Sequence, residues 1–342
     1  MENKVVAQRD ITLDVIKGVL IFLVVLAHFA VSKQVGLPIR AWGNAIYAFH
    51  MPAFIFISGY LSKRVTTQRT KEIDTLLWPF LVFQVLMLIY SKLTGFGGGG
   101  INLFETKYLN WYILALFFWR LIIPYCAKIK RYVAIVFAFG LAFLAGYFVD
   151  NSILTLYRVF YFFPVFLLGY YVDDLKISVS KVFRFKYVGP AVLSLGSFAI
   201  ILFSSQSEGN WSLIHYAFAP DFNYDGQTSA MIWGGVRIVG YAVSLIMTYA
   251  FFSTCILLSQ RLQWIANLGR NSMTVYIVHG FFTLALVPLV IAKYDWIVGS
   301  VLSLVFAILL CWLLSRQKVV NLFKPLVDLG ELSKLLHYSI YK

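Results

Sequence analysis

The sequence predicts an all-α integral membrane protein, a bundle of about ten transmembrane helices with both termini in the cytoplasm. Three observations carry this. Of the 342 residues, 60% are hydrophobic and 13% charged, with a mean hydropathy of +0.78, whereas an average soluble chain is about 25% charged. Apolar windows of about 20 residues, the length that crosses a hydrocarbon core, recur along the whole chain. The net charge of +14 comes from Lys and Arg residues gathered between alternate windows, which reads as an orientation signal and not as a nucleic-acid surface.

The windows fall at 11–32, 44–62, 73–93, 109–127, 132–149, 157–171, 187–204, 231–258, 265–290 and 296–315. The residues before the first carry charge but no cleavage pattern, and the window is too long for a signal peptide, so it is expected to stay as a helix. With the N-terminus inside, 19 of the 29 Lys and Arg residues lie in inner segments. Lys33, Arg40, Lys92, Lys107 and Lys293 lie outside, and Lys17, Arg120, Arg158, Arg237 and Arg270 lie within windows. Residues 1–315 are expected to form the membrane domain and 316–342 a cytoplasmic tail. In that tail Leu326, Leu329, Leu332, Leu335 and Leu336 suit a short amphipathic helix on the inner leaflet.

Between the windows, Met51-Pro52 is expected to kink the second span, because proline removes a backbone donor. The outer segment 91–108 holds Gly95 and a glycine run at 97–100 without the Lys-Ser/Thr ending of a phosphate-binding loop, and reads as a hinge or lid. The outer segment 205–230 holds Trp211, His215, Tyr216, Phe218, Asp221, Tyr224 and Asp225, either a sugar-binding surface or an interfacial aromatic belt. Cys126, Cys255 and Cys311 lie in apolar windows with no ligand spacing; they read as core residues, and no metal is expected.

The chemistry centres on the first window, which buries Asp14, Lys17 and His28 in an apolar run. An ionisable group at the bilayer centre costs about 2.5 to 3.5 kcal/mol even on a lenient scale, so such residues face protein or water. At roughly 100° per residue, Lys17 and His28 point nearly the same way and stand about 16 Å apart along the axis. Asp14 is nearly in phase with both and is expected to pair with Lys17. His50 reaches a similar depth in the second span, where the two imidazoles could share a cavity. Lys17, Arg120 and Arg270 line the inner half, with Arg69 in the adjoining loop, and Arg158 and Arg237 lie toward the outer half. The whole describes a polar path whose inner end suits an anion and whose outer end suits acid-base work.

These residues resemble the membrane-bound acyltransferase family 3, in its stand-alone branch with the fucose-4-O-acetylase-like and enterobacterial-common-antigen O-acetyltransferases. The resemblance rests on Leu13-Asp14-x-x-Lys17 leading to His28, on Phe49-His50-Met51-Pro52 with Ser58-Gly59-Tyr60, and on Trp111-Tyr112 with Arg120. Arg158 ahead of Phe163-Pro164-Val165 and Leu268-Gly269-Arg270-Asn271-Ser272 leading to Tyr276 and His279 complete it. It implies transfer of an acyl group, usually acetyl, from cytoplasmic acetyl-CoA to a hydroxyl of a cell-surface polysaccharide or its lipid-linked sugar precursor, in a bacterial cytoplasmic membrane. On this reading Lys17, Arg120, Arg270 and Arg69 hold the CoA phosphates, and His28 is the general base. His50 or His279 orients the acceptor or stabilises the oxyanion. The acceptor is expected against Trp111, Tyr112, Arg158, Arg237 and His279. An acyl-His intermediate is a variant, and Ser58, outside any G-x-S-x-G sequence, is not expected to be a nucleophile. Many relatives carry a further span and an esterase-like domain; none follows the tenth window here, so the membrane domain is expected to engage its acceptor directly. Competing readings are a transporter or flippase, or an accessory subunit of a polysaccharide export complex.

Overall fold

Backbone N–H and C=O groups have no water to bond in a bilayer core, so a spanning segment must satisfy them internally. The computed structural model meets this with helices. It describes residues 11–30, 32, 34–63, 69–96, 105–106, 108–148, 154–173, 187–218 and 230–340, and no strand occurs among them. In chain order the helices are α1 (Ile11–Ala30), α2 (Leu37–Tyr47), α3 (His50–Ser62), α4 (Arg69–Glu72), α5 (Trp78–Thr94), α6 (Trp111–Cys126), α7 (Arg131–Phe148) and α8 (Leu156–Tyr170). They continue with α9 (Val188–Ser204), α10 (Glu208–Phe218), α11 (Ala230–Leu258), α12 (Ala266–Arg270), α13 (Ser272–Leu289), α14 (Trp296–Leu314), α15 (Gln317–Val327) and α16 (Leu329–Ile340).

Six helical stretches among the described residues are long and apolar enough to cross a membrane: Ile11–Ala30, Leu37–Ser62, Ile73–Thr94, Gly234–Leu258, Ser272–Lys293 and Trp296–Leu314. Four shorter apolar helices, Trp111–Cys126, Arg131–Gly146, Leu156–Tyr170 and Val188–Ser204, lie over the remaining hydropathy windows. The outer surface is apolar as well. Val136 is 70% exposed, Phe198 64% and Val239 62%, a solvent face no water-soluble monomer would present.

Helix α1 is the centre of the bundle. It packs on α2, α3, α12, α13 and α14, and Val15, Leu20, Ile21, Val24 and Val25 are fully buried. Lipid tails are as apolar as leucine, so such helices associate through close packing and not through hydrophobic burial. Two crossings show how. A methyl group on Gly269 of α12 would collide with the Asp14 carbonyl of α1, and one on Gly18 with the Ile265 carbonyl. Likewise Gly59 of α3 and Gly169 of α8 lie against the Phe166 and Phe56 carbonyls. Three buried serine hydroxyls are satisfied locally: Ser58, Ser62 and Ser303 donate to carbonyls four residues earlier.

Three expectations are corrected. The second span is interrupted, not kinked at Pro52: α2 ends at Tyr47, Phe49 has φ −137° and ψ −22°, and α3 starts at His50. Pro52 then sits in the first turn of α3, where backbone N–H groups have no intrahelical partner to lose. The segment after α9 contains a helix, α10, which packs on α2, α9 and α11; Asp221, Tyr224 and Asp225 lie outside the described residues, as does the glycine run 97–100. The tail is two helices, α15 and α16. Asp328 between them has extended backbone, and its side chain accepts the N–H of Gly330 at 2.9 Å. A π-helical turn, Ile73–Leu77, joins α4 to α5, and just beyond it the Trp78 indole donates to the Pro325 carbonyl at 3.2 Å, tying α5 to α15.

Candidate functional site

Two polar clusters lie at opposite ends of α1. At one end, three histidines sit on three helices. The Nδ1 atoms of His28, His50 and His279 lie 2.6, 2.9 and 2.9 Å from the carbonyls of Val24, Ile46 and Val275, each four residues earlier. A carbonyl only accepts, so in each ring Nδ1 carries the proton and Nε2 keeps its lone pair. Packing of α1 on α13 sets the His279 Nε2 3.4 Å from the His28 Nδ1. Tyr47, at the end of α2, packs its ring 4.7 Å from His50 and 6.5 Å from His28. His50 is 1% exposed.

A cavity of about 390 Å³ opens beside His28, lined also by Ser32, Gln34, Phe96, Tyr108 and Thr283. His50 is not part of its wall, so His28 alone of the two predicted catalytic histidines reaches it. Tyr108 is unusual here. Its φ of 52° lies in the left-handed region, which costs of order 1–3 kcal/mol for such a residue and recurs at functional sites. Its ring lies 5.4 Å from that of His28, and burial pushes its hydroxyl up to about 12, so it stays protonated.

From the histidines a ladder of side chains leads toward the other end of α1. The Tyr276 ring lies 6.2 Å from His279 and 5.3 Å from Tyr112, and its hydroxyl donates to the Leu109 carbonyl at 2.6 Å. The Tyr112 hydroxyl is 2.6 Å from the Ser58 hydroxyl. One turn on, the Ser62 hydroxyl donates to the Ser58 carbonyl at 2.7 Å and accepts from Arg120 Nε at 3.3 Å. Arg120 Nη1 bonds the buried Glu72 carboxylate at 3.0 Å. Trp111, stacked on Phe162 at 5.4 Å, lies beneath the Arg158 guanidinium at 5.1 Å.

At the basic end of α1, Asp14 is buried between two cations. Lys17 Nζ lies 3.0 Å from its Oδ1 and Arg270 Nε 3.4 Å from its Oδ2. The Gly18–Gly269 crossing produces this arrangement, because it lays the first turns of α1 directly on α12. Asn267 and Asn271, flanking Arg270, donate to the Ser315 carbonyl at 3.4 and 3.1 Å and fasten α12 to the end of α14. Asp14 leaves the trio one net positive charge, and the exposed half of Arg270 is open to an anion.

The structure thus brings together His28 with His279, Tyr112 with Ser58, Trp111 with Arg158, and Lys17 with Arg270. Arg237 stands apart: it bonds the Ala142 and Phe143 carbonyls at 3.0 and 3.5 Å and lies over Tyr157, fastening α11 to α7. The Arg69 side chain lies outside the described residues. The sugar-binding alternative for Trp211 is corrected, because the indole is 5% exposed, stacked on His215 at 4.6 Å and covered by Arg40 at 4.7 Å. Arg40 in turn pairs with Glu208, and Asn44 bonds Ser204, the Trp211 carbonyl and His215, so this group is a clasp between α2, α9 and α10. Sequence reasoning missed Tyr47, Tyr108, Thr283 and Glu72. A signal existed for Glu72, a carboxylate beside an apolar window that needs a cationic partner; the backbone twist at Tyr108 left none.

The chain is 32% identical over 128 residues to "Nodulation protein NolL" of Sinorhizobium fredii (strain NBRC 101917 / NGR234), a match covering 32% of this chain and 35% of that protein. The match thus spans about a third of the relative's length. No solved structure matches. The family described as "Acyltransferase domain" matches residues 10–316, from the first turn of α1 to the end of α14. By that match across nearly its whole length, the chain belongs to this family of membrane acyltransferases.

Proposed function

We propose that the protein is a transmembrane O-acetyltransferase that moves an acetyl group from cytoplasmic acetyl-CoA to a hydroxyl of a cell-surface polysaccharide or its lipid-linked sugar precursor. On this reading it spans a bacterial cytoplasmic membrane about ten times, its basic end and both termini face the cytoplasm, and its histidine end faces outward. The observation that carries the reading is the cavity at His28, whose ring keeps an unprotonated Nε2 because Nδ1 is committed to Val24.

Lys17 and Arg270 hold the CoA phosphates with charge-assisted hydrogen bonds, and Arg69, the first residue of α4, adds to them. Arg120, already bound to Glu72, holds the inner end of the ladder in place. The thioester approaches His28 along Tyr112 and Tyr276, with Trp111 and Arg158 beside it. His28 Nε2 takes the proton of the acceptor hydroxyl as its oxygen attacks the thioester carbonyl carbon. A C–O bond forms, the C–S bond breaks, and the departing CoA thiolate accepts the proton that His28 holds. His279, 3.4 Å from Nδ1 of His28, orients the base, while His50 supports Tyr47 behind it. The test is to incubate the purified protein with radiolabelled acetyl-CoA and follow hydrolysis, self-labelling and transfer. The reading expects His28-dependent turnover and thermal stabilisation by CoA; turnover that persists in His28→Ala overturns the assignment of the base.

A further inference from the structure

Among the polar residues that line the cavity beside His28, which include Ser32, Gln34 and Thr283, Tyr108 has a role the transfer step leaves open. The Tyr108 hydroxyl lies 3.2 Å from Thr283 Oγ1, and Thr283 Oγ1 itself donates to the Gly280 carbonyl at 3.2 Å. A threonine hydroxyl has one proton. With that proton on Gly280, Thr283 accepts from Tyr108, and the phenol proton is committed within the wall. What Tyr108 offers a ligand is therefore its oxygen lone pair. The same holds for His28, whose Nδ1–H is committed to Val24 and whose Nε2 accepts. Two residues that offer acceptors thus line one cavity, their ring centroids 5.4 Å apart, close enough for one ligand with two neighbouring hydroxyls to engage both. The left-handed backbone at Tyr108 is a second and separate sign that the position is held for a purpose beyond packing.

We propose that Tyr108 is a specificity-determining residue of the acceptor site: it accepts a hydrogen bond from a second hydroxyl next to the one that is acetylated, so that the site takes vicinal diols, such as those of a sugar ring, ahead of isolated alcohols. This rests on the reading of His28 as the general base. A site built to bond a substrate hydroxyl discriminates against the analogue that lacks it, because its own polar group is then left unpaired.

The test uses the full-length protein in nanodiscs with radiolabelled acetyl-CoA and three probes: cis- and trans-cyclohexane-1,2-diol and cyclohexanol. The wild type is expected to acetylate at least one diol about three- to tenfold faster per hydroxyl than the mono-alcohol, the span of one neutral hydrogen bond. Tyr108→Phe keeps the ring against His28 and should bring that ratio close to one. Thr283→Val, which releases the phenol proton toward the cavity, should lower it part of the way. CoA-induced thermal stabilisation of both variants verifies that they fold. A ratio near one in the wild type, or a ratio unchanged in Tyr108→Phe, overturns the proposal. If acetyl-CoA is hydrolysed in a His28-dependent way but none of the probes is acetylated, the diol preference fails and the acyltransferase reading stands. If acetyl-CoA is neither bound nor turned over, both fail together.

Discussion

The two ends of α1 solve the problem of polar groups in an apolar bundle in opposite ways. At the basic end, charge is met by charge: Asp14 is shared by Lys17 and Arg270, and Glu72 is bound by Arg120. At the histidine end, each of three rings donates to a carbonyl four residues earlier, His28 and His279 within their own helices and His50 back to Ile46 of α2. The first arrangement leaves net charge for an anionic ligand, and the second leaves lone pairs for a proton. On the proposed function, the contrast separates binding from chemistry along one helix, and it can be broken one end at a time.

The largest effect is expected at the histidine end. His28→Ala should lower acetyl transfer by about 10²- to 10⁴-fold, the usual contribution of a positioned base, while stabilisation of the protein by CoA persists. At the basic end the signs reverse. Lys17→Ala or Arg270→Ala should weaken CoA binding by roughly tenfold or more, since each removes a charge-assisted contact of about 1.5–3 kcal/mol, and should lessen its salt dependence in a ligand-induced thermal-shift titration. A loss of CoA binding in His28→Ala equal to that in Lys17→Ala would erase the comparison. Between the ends, Tyr112→Phe removes the bond to Ser58 and should cost about 0.5–1.5 kcal/mol of stability, read as a fall in melting temperature.

The smallest effect belongs to the tail. Glu331 is held down to about 2 by hydrogen bonds to Lys334 and Lys324, so its ion pairs are complete above the ordinary carboxylate value of 4.5 and are lost as the pH falls toward 2. Glu331 is half-buried but both lysine partners are exposed to solvent, where such pairs contribute little. Glu331→Gln should therefore leave the melting temperature unchanged within error between pH 5 and pH 8. A clear shift would show that the tail carries more of the fold than its surface contacts imply.

Much of this was legible because helices repeat their faces. The stripe Asp14, Lys17, His28 follows from helical phase, and the Asp14–Lys17 pair formed as expected at three residues' spacing. Windows of hydropathy found the long helices for another reason, that a spanning segment is apolar along most of its length. Contacts across helices were less readable: nothing in the spacing of Tyr112 and Ser58, or of His28 and His279, reveals that they meet, because the glycine crossings that set helix against helix act through the backbone. Helix α10 escaped because it is short and mixes polar with apolar residues, and the interruption at Ala48–Phe49 because Pro52 drew attention to the wrong turn. Tyr108 was hidden most deeply, since a left-handed φ at a non-glycine residue leaves no mark in composition or period.

The π-helical turn at Ile73–Leu77 carries a consequence for how this chain tolerates change in length. A π-turn holds one residue more than the α-helix around it, and it lies directly after Glu72. Removing one residue within it would let α4 run into α5 as an unbroken α-helix, and Glu72 would swing by about 100° away from Arg120. A one-residue deletion inside an unbroken α-helix turns the faces on its two sides by about 100° relative to each other. Here it would spare the helix and uncouple the ion pair, so that the extra residue acts as a spacer keeping two helical faces in step.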